Sequence, residues 1–219
     1  NLLGLSETQG DPDLLITFHH NWYDHSDSRH PRVRYYTAHV YNNYYDGNSK
    51  YGVGSTLGSS IFVENNYFRN CKYPMLTSLQ GTDIFGGNGG TFSGEDGGSI
   101  KAFGNTIIGA TRFDPYGAAG PTASNVEFDA VVTATRNETI SSSITSKVGG
   151  NTYNNFDTNG VIWYAYTPDS AEEARTKVMQ FSGRMNGGDF DWTFDQAGDD
   201  TSSSVNTVLK TALISYNTN

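Results

Sequence analysis

Three arginines and a histidine are concentrated in residues 28–34, which read SRHPRVR. Pro31 fixes its own φ and favours an extended backbone at His30, while Arg32 and Arg34 would share one face of an extended strand. Guanidinium groups match carboxylates through paired hydrogen bonds, so this cluster could bind an acidic ligand. From composition alone, a solvated strand edge whose arginines discourage strand pairing is an equally good interpretation.

The chain as a whole is acidic, which limits the classes of ligand that this basic cluster could bind. Among 219 residues, 14 Lys and Arg stand against 23 Asp and Glu, giving a formal net charge of −9. A general nucleic-acid binder needs a basic face that displaces counterions, so nucleic acid is not expected as a partner. The sequence also lacks an apolar run of about 18 residues, the length that a membrane-spanning helix needs.

A weak internal repeat predicts the elements that would position these residues. Asn21, Asn43 and Asn66 each precede two aromatic residues, at spacings of 22 and 23 residues. A fourth copy places Asn105 after a further 39 residues, which leaves room for an inserted loop, and a weaker fifth surrounds Asn151. This period is typical of a solenoid, in which the asparagines would form a ladder at one bend. An antiparallel sandwich with coincidental Asn turns is the alternative.

Short β-rich segments precede these bends, and the C-terminal part has a different character. Strands are predicted over residues 14–18, 37–40, 60–63, 99–103 and 126–128. Residues 77–98 form a Gly-rich excursion, and 109–125 form another irregular stretch. Asp169 or Ser170 would cap a helix that ends near Ser182, and residues 205–216 carry a helical stripe. We expect one all-β domain, with coils and loops over 1–165 and a covering segment over 166–219.

Four segments resemble polysaccharide lyase family 1: residues 16–23 (ITFHHNWY), 29–34 (RHPRVR), 39–45 (HVYNNYY) and 61–68 (IFVENNYF). The resemblance covers roughly residues 2–110 and is specific, because Arg-x-Pro-x-x-Arg falls between two coils of the repeat. It implies a right-handed parallel β-helix with a short helical C-terminal tail packed on it. It also implies a secreted pectate lyase, which cleaves (1,4)-α-D-galacturonan in pectin by β-elimination with the help of calcium.

The resemblance assigns roles within the signature. Arg29 matches the family's proposed catalytic base, Arg34 matches the arginine that binds a substrate carboxylate, and Pro31 is structural. The reaction removes the proton at C5, next to the C6 carboxylate, so negative charge builds there and nearby cations must stabilise it. A guanidinium is ordinarily protonated, which makes Arg29 an unusual base. Because neighbouring cations favour its uncharged form, activity is expected to favour alkaline pH.

The family's calcium ligands are acidic residues on coils that precede the matched segment, and a substrate-binding lysine lies just before the position of Asn1. Asp11, Asp13, Asp24 and Asp27 do not occupy the matching positions, so no metal ligand is assigned in this chain. We therefore expect Ca²⁺ ligands outside it, supplied by upstream coils or by an N-terminal fragment that completes the β-helix. The 219-residue polypeptide alone is expected to aggregate or to lack lyase activity.

All five histidines lie within 21 residues, at positions 19, 20, 25, 30 and 39, which suggests zinc. No cysteine or carboxylate completes a familiar ligand spacing, and His19 and His20 are expected on opposite faces of a strand. The resemblance favours core or bend positions for His20 and His39. The single cysteine, Cys71, excludes an intrachain disulfide and is expected to be buried.

Three alternatives to a pectate lyase remain open. A pectin lyase would act on methyl-esterified substrate with the same fold. A hydrolase of the polygalacturonase kind is disfavoured, because no catalytic aspartates cluster on the coils. A non-catalytic β-solenoid that binds acidic polysaccharide is compatible with the lack of assigned calcium ligands.

Overall fold

A computed structural model describes residues 2–4, 14–85, 90–118, 126–160, 162, 164–182 and 206–215. The first strands are β1 (Leu2–Leu3), β2 (Leu15–His19), β3 (Trp22–Asp24), β4 (Arg32–Arg34), β5 (Thr37–Tyr41) and β6 (Tyr44–Asp46). The next are β7 (Tyr51–Thr56), β8 (Ser60–Glu64), β9 (Tyr67–Arg69) and β10 (Tyr73–Thr77). A short 3₁₀ helix, Gly81–Ile84, precedes β11 (Ser99–Phe103), β12 (Thr106–Ile108) and β13 (Val131–Val132).

These strands form three sheets in which every pairing is parallel. Sheet A has the order β1-β4-β7-β10, sheet B the order β13-β11-β8-β5-β2, and sheet C the order β12-β9-β6-β3. Neighbouring strands of a sheet come from successive turns of the chain, so the chain winds as a solenoid. The predicted all-β parallel β-helix is confirmed, and the antiparallel sandwich is wrong.

The bend between sheets B and C is held by the predicted asparagine ladder. Asn21 Nδ2 donates to Asn43 Oδ1 at 2.9 Å, Asn43 to Asn66 at 2.9 Å, and Asn66 to Asn105 at 3.0 Å. The backbone N–H of each donor residue reaches the same acceptor oxygen. Each side chain therefore satisfies backbone groups that strand pairing leaves unpaired at the bend.

Apolar side chains from all three sheets fill the interior of the coils. Val33 of sheet A, Val40 of sheet B and Phe68 of sheet C are fully buried in one cluster. Side chains alternate across a strand, so Arg32 and Arg34 on either side of Val33 point outward together. This confirms that the two arginines share one face of β4, the outer face of sheet A.

The first predicted helix covers the outer face of sheet C. It is α1 (Ala171–Phe181), and Ser170 caps its N-terminus in a capping box with Glu173. Ala171 and Val178 of α1 are buried against Tyr44 and the other aromatic residues of sheet C. Both the cap and the packing of this part of the tail agree with the sequence prediction.

The second predicted helix is α2 (Thr207–Ser215). Its apolar stripe predicted the helix correctly, but α2 buries no residue, and Val208 and Ile214 are 69% and 76% exposed. In the part of the chain that the structure describes, no helix has both the length and the apolar character needed to cross a membrane.

Residues 126–128 do not form the predicted strand. The segment bonds instead to the 77–98 loop: the Gln80 side chain donates Nε2 to Phe128 O at 2.6 Å, and the Glu127 carboxylate accepts from Gly81 N–H at 2.9 Å. Because Gln80 already bonds the Phe128 carbonyl, strand pairing begins only at β13. Apolar alternation alone could not reveal this competition.

The fifth copy of the repeat is not a coil of the ladder. Asn151 Nδ2 donates to Gly97 O at 2.7 Å, in the loop before β11. The next residue, Thr152, forms an antiparallel bridge with Thr145. Asn151 therefore connects the segment that follows the strands to the loop over residues 90–98, through hydrogen bonds to Ser146 and Gly97.

Asn43→Ala should lower the free energy of unfolding by roughly 3 kcal/mol or more, because it removes a fully buried amide and leaves the bend groups of Asn21 without an acceptor. Asn21→Ala is the matched control. It removes a half-buried amide at the end of the same ladder and should cost about 1 kcal/mol. Urea unfolding of both variants measures the difference, and equal losses would contradict a cooperative ladder.

Candidate active site

Arg29 lies in the loop between β3 and β4 and is exposed. Its φ is 69°, in the left-handed region that residues other than glycine seldom adopt, and the following His30–Pro31 peptide bond is cis. A left-handed residue of this kind costs free energy and persists where its surroundings hold it, often at functional sites. The structure therefore presents Arg29 to solvent from a constrained backbone.

A second, shorter ladder holds this loop at the bend between sheets C and A. Asn48 Nδ2 donates to Ser26 Oγ at 3.1 Å, and Cys71 Sγ donates to Asn48 Oδ1 at 3.4 Å. The three residues lie on successive coils at spacings of 22 and 23 residues, as the asparagines do. We call this set, Ser26, Asn48 and Cys71, the polar ladder. Cys71 is fully buried, as the sequence predicts.

The polar ladder ends on His30, the residue after Arg29. Ser26 Oγ lies 3.0 Å from His30 Nε2, and the Tyr45 hydroxyl donates to His30 O at 2.7 Å. The imidazole packs against the Tyr23 ring at 4.7 Å between centroids. Burial lowers the pKa of His30 to about 4, so this side chain is neutral near pH 7. A neutral imidazole that is buried and bonded to Ser26 thus anchors the backbone next to Arg29.

Arg34, the second predicted site residue, is bound to a carboxylate of the protein itself. Its Nε donates to Glu95 Oε1 at 2.9 Å and its Nη2 to the same oxygen at 2.5 Å. Arg32 Nη2 lies 2.6 Å from Glu95 Oε2. Burial alone would raise the pKa of Glu95, but hydrogen bonds from Arg34 and Arg32 hold it below its usual value. We call these three residues the Glu95 triad.

No sequence pattern predicted Glu95. It lies 61 residues after Arg34, in the Gly-rich excursion that could be recognised only as a long loop. Nor did sequence reasoning single out Lys50, which lies on the coil after Arg29 and pairs with Asp27 at 3.2 Å between Nζ and Oδ2. Both partners of this pair are exposed, so it is open to solvent and to a polyanionic ligand.

The clustered histidines do not form a metal site. Where the structure describes the chain, no group of three or more His, Cys, Asp or Glu could hold a metal ion. His39 is fully buried and bonds Glu64 at 3.1 Å. His19 Nδ1 lies 2.9 Å from His20 Nδ1, so the prediction of opposite faces is wrong, because His20 leaves the strand with a φ of 53°.

The described residues do not fit a calcium site either. Asp24 pairs with His25 at 2.5 Å and Asp27 with Lys50, so neither carboxylate belongs to an acidic cluster. Asp11 and Asp13 lie outside the described residues. Calcium therefore stays a prediction from the family resemblance, and no chemical step is derived through it.

The fold and the site together define a parallel β-helix with exposed and carboxylate-bound arginines along one sheet. A model of the pectate lyase family matches residues 2–186. The chain belongs to this family, which confirms the resemblance noted in the sequence.

Several characterised proteins are similar to parts of the chain. It is 40% identical over 76 residues to a pectate trisaccharide-lyase of Bacillus licheniformis, covering 35% of this chain and 22% of that protein. It is 32% identical over 126 residues to a pectate lyase of Bacillus subtilis, covering 54% and 27%. The matched segments thus span 22% to 27% of these relatives.

A solved structure also aligns with the chain. It is the crystal structure of a pectate lyase from Bacillus sp. N165 in complex with trigalacturonate. The alignment has a TM-score of 0.43 and 24% identity, and it covers 76% of this chain and 39% of that one.

Acid should destabilise the protein through His30. Its pKa is about 4 in the folded state, below the unfolded value of about 6.5. As pH falls from about 6.5 to 4, His30 becomes protonated in the unfolded chain but stays neutral in the folded chain. The free energy of unfolding therefore declines by up to roughly 3 kcal/mol. His30→Gln keeps a hydrogen-bonding group but does not titrate. Urea unfolding at pH 7, 5 and 4 should show a smaller decline for the variant, and identical declines would contradict the assignment.

Proposed function

We propose that this chain forms part of a secreted pectate lyase that cleaves (1,4)-α-D-galacturonan by β-elimination, with Arg29 as the group that takes the proton. One observation carries the proposal. In a member of the pectate lyase family, the arginine of the signature is exposed on a left-handed backbone that a buried ladder and a neutral histidine hold in place.

The proposed reaction breaks two bonds and forms a double bond. Arg29 removes the proton at C5, the electron pair of that C–H bond forms the C4=C5 double bond, and the bond between C4 and the glycosidic oxygen breaks. The departing oxygen takes a proton from water. The products are a new reducing end and an unsaturated uronide. Charge builds on the C6 carboxylate during proton removal, so cations fixed nearby lower the barrier.

Two cations are available for that task. Arg34 is proposed to interact with a substrate carboxylate from the outer face of sheet A. Its ion pair with Glu95 partly neutralises its charge. Lys50 lies on the exposed coil after Arg29 and is held only by a surface ion pair, which is a weak interaction in water. A polyanionic chain running across the coils would meet both, despite the net charge of −9.

Calcium and a completing segment belong to the same proposal. Within the described residues, β1, β2 and β3 are the outermost strands of their sheets on one side. Parallel strands of a further coil would pair there, and we propose that such a segment, in the same chain or another, supplies the calcium ligands. The alternative of polysaccharide binding without catalysis is separated from this proposal by assaying product.

Arg29→Lys should reduce turnover of polygalacturonate by at least about a thousandfold, because a proton-transfer group typically contributes that order of rate enhancement. The measurement is the appearance of unsaturated uronide, made in parallel on the 219-residue chain and on protein completed by upstream coils, with calcium. Arg112→Lys, at an arginine paired with Asp114 elsewhere, is the control. Substantial activity in Arg29→Lys would remove Arg29 from the base role.

Arg29→Gly should separate activity from folding. Glycine relieves the left-handed strain of roughly 1–2 kcal/mol and adds a chain-entropy cost of about 0.5–1 kcal/mol, so the free energy of unfolding should not fall. Activity should nevertheless be lost. Urea unfolding and product formation on one preparation test both, and a large loss of stability would show that the Arg29 side chain is structural.

A further inference from the structure

The Glu95 triad has an unusual arrangement for a surface meant to attract a polyanion. One carboxylate engages both outward arginines of β4: Oε1 and Oε2 both accept from Arg34, and Oε2 also lies 2.6 Å from Arg32 Nη2. The side chains are only 5%, 12% and 14% exposed for Arg32, Arg34 and Glu95. Two positive charges and one negative charge leave the triad with a net charge of +1 in place of +2.

The geometry at Arg34 is the geometry of a bound substrate carboxylate. Glu95 occupies the edge formed by Nε and Nη2, one of the two edges through which a guanidinium binds a carboxylate with paired hydrogen bonds: Nη2 donates to Oε1 at 2.5 Å and Nε to Oε2 at 3.0 Å. These hydrogen bonds raise the pKa of Arg34, so the guanidinium stays charged. Glu95 therefore stands where the resemblance to known lyases would place a carboxylate of the ligand.

The loop that carries Glu95 is held in place by buried contacts with sheet A and its surroundings. Ser78 Oγ donates to Glu95 O at 2.6 Å, which fixes the backbone of the loop. Phe92 in the same loop is fully buried, and its carbonyl accepts from Arg32 Nη2 at 3.1 Å. A Cβ at Gly54 of β7 would lie 2.8 Å from the Phe92 ring, so the loop sits close on sheet A.

We propose that Glu95 is a specificity-determining residue, which supplies Arg34 with an internal carboxylate so that the uronate unit bound beside it need not be ionised. The inference rests on the proposed galacturonan ligand and deepens it. An arginine without a carboxylate partner would favour an ionised uronate unit. The Glu95 triad has a lower net charge, and Glu95 already occupies one edge of the Arg34 guanidinium. The site therefore tolerates methyl-esterified units at this position of the groove.

Binding measurements on the folded chain test this without relying on turnover. The probes are polygalacturonate and the same polymer with its carboxylates methyl-esterified, followed by affinity electrophoresis. Glu95→Gln should bind polygalacturonate about tenfold more tightly, the effect of one charge-assisted contact, and should bind the esterified polymer unchanged. Adding Arg34→Ala to Glu95→Gln should cancel the gain. Asp96→Asn, an exposed neighbour with the same change in net charge, should produce no selective gain.

Several outcomes would overturn the inference. These are an unchanged ratio of the two affinities in Glu95→Gln, an equal gain in Asp96→Asn, or no binding of polygalacturonate by the wild-type chain and by Glu95→Gln. If Glu95→Gln does not fold, Glu95→Asp is the second variant: its shorter side chain should no longer engage both arginines, so the ratio of the two affinities should shift toward polygalacturonate, and an unchanged ratio would contradict the inference. Binding without unsaturated product would refute the lyase proposal and leave this inference standing.

Discussion

Every coil of this protein must present its bend to the next coil in register, and the hydrogen bond from one asparagine amide to the next enforces that constraint. Parallel pairing satisfies the strands, but a bend has backbone groups that face along the stack with no strand partner. Asn21, Asn43 and Asn66 fill that gap with bonds of 2.9 Å between successive side chains. What the winding requires is therefore an asparagine at the same bend of each coil, and 22 or 23 residues is the length of a coil that carries no insertion.

The same register carries the candidate site. The polar ladder repeats the spacing at another bend and ends on His30, which fixes the backbone on which Arg29 projects. The backbone at Arg29 is thus supported by a contact within its own loop, between Ser26 and His30, and by hydrogen bonds that connect this loop to the next two coils. The backbone that carries Arg29 and the stability of the solenoid thus both depend on side chains stacked at the bends.

The sequence was informative where a repeat, a local cap or a family signature marks a feature, and uninformative where segments far apart in the chain meet. Asparagine spacing predicted the ladder, and a capping residue predicted α1, because each rests on local chemistry. The strand over 126–128 failed, because Gln80 and Gly81 pair with that segment from a distant loop. Arg29 and Arg34 were found through their family signature, whereas Glu95 has no motif and meets Arg34 only through the fold.

The loop over residues 77–98 shows where such a solenoid can change during evolution. Asn66 and Asn105 keep their hydrogen bond although 39 residues separate them, so the extra chain between them left the stack intact. Insertions enter at a corner that bears no ladder, and they fold back over sheet A. Replacement of this one loop could therefore change the side chains that lie over sheet A while the winding is inherited unchanged. The loop over sheet A and the stacked coils can in this sense evolve separately within one chain.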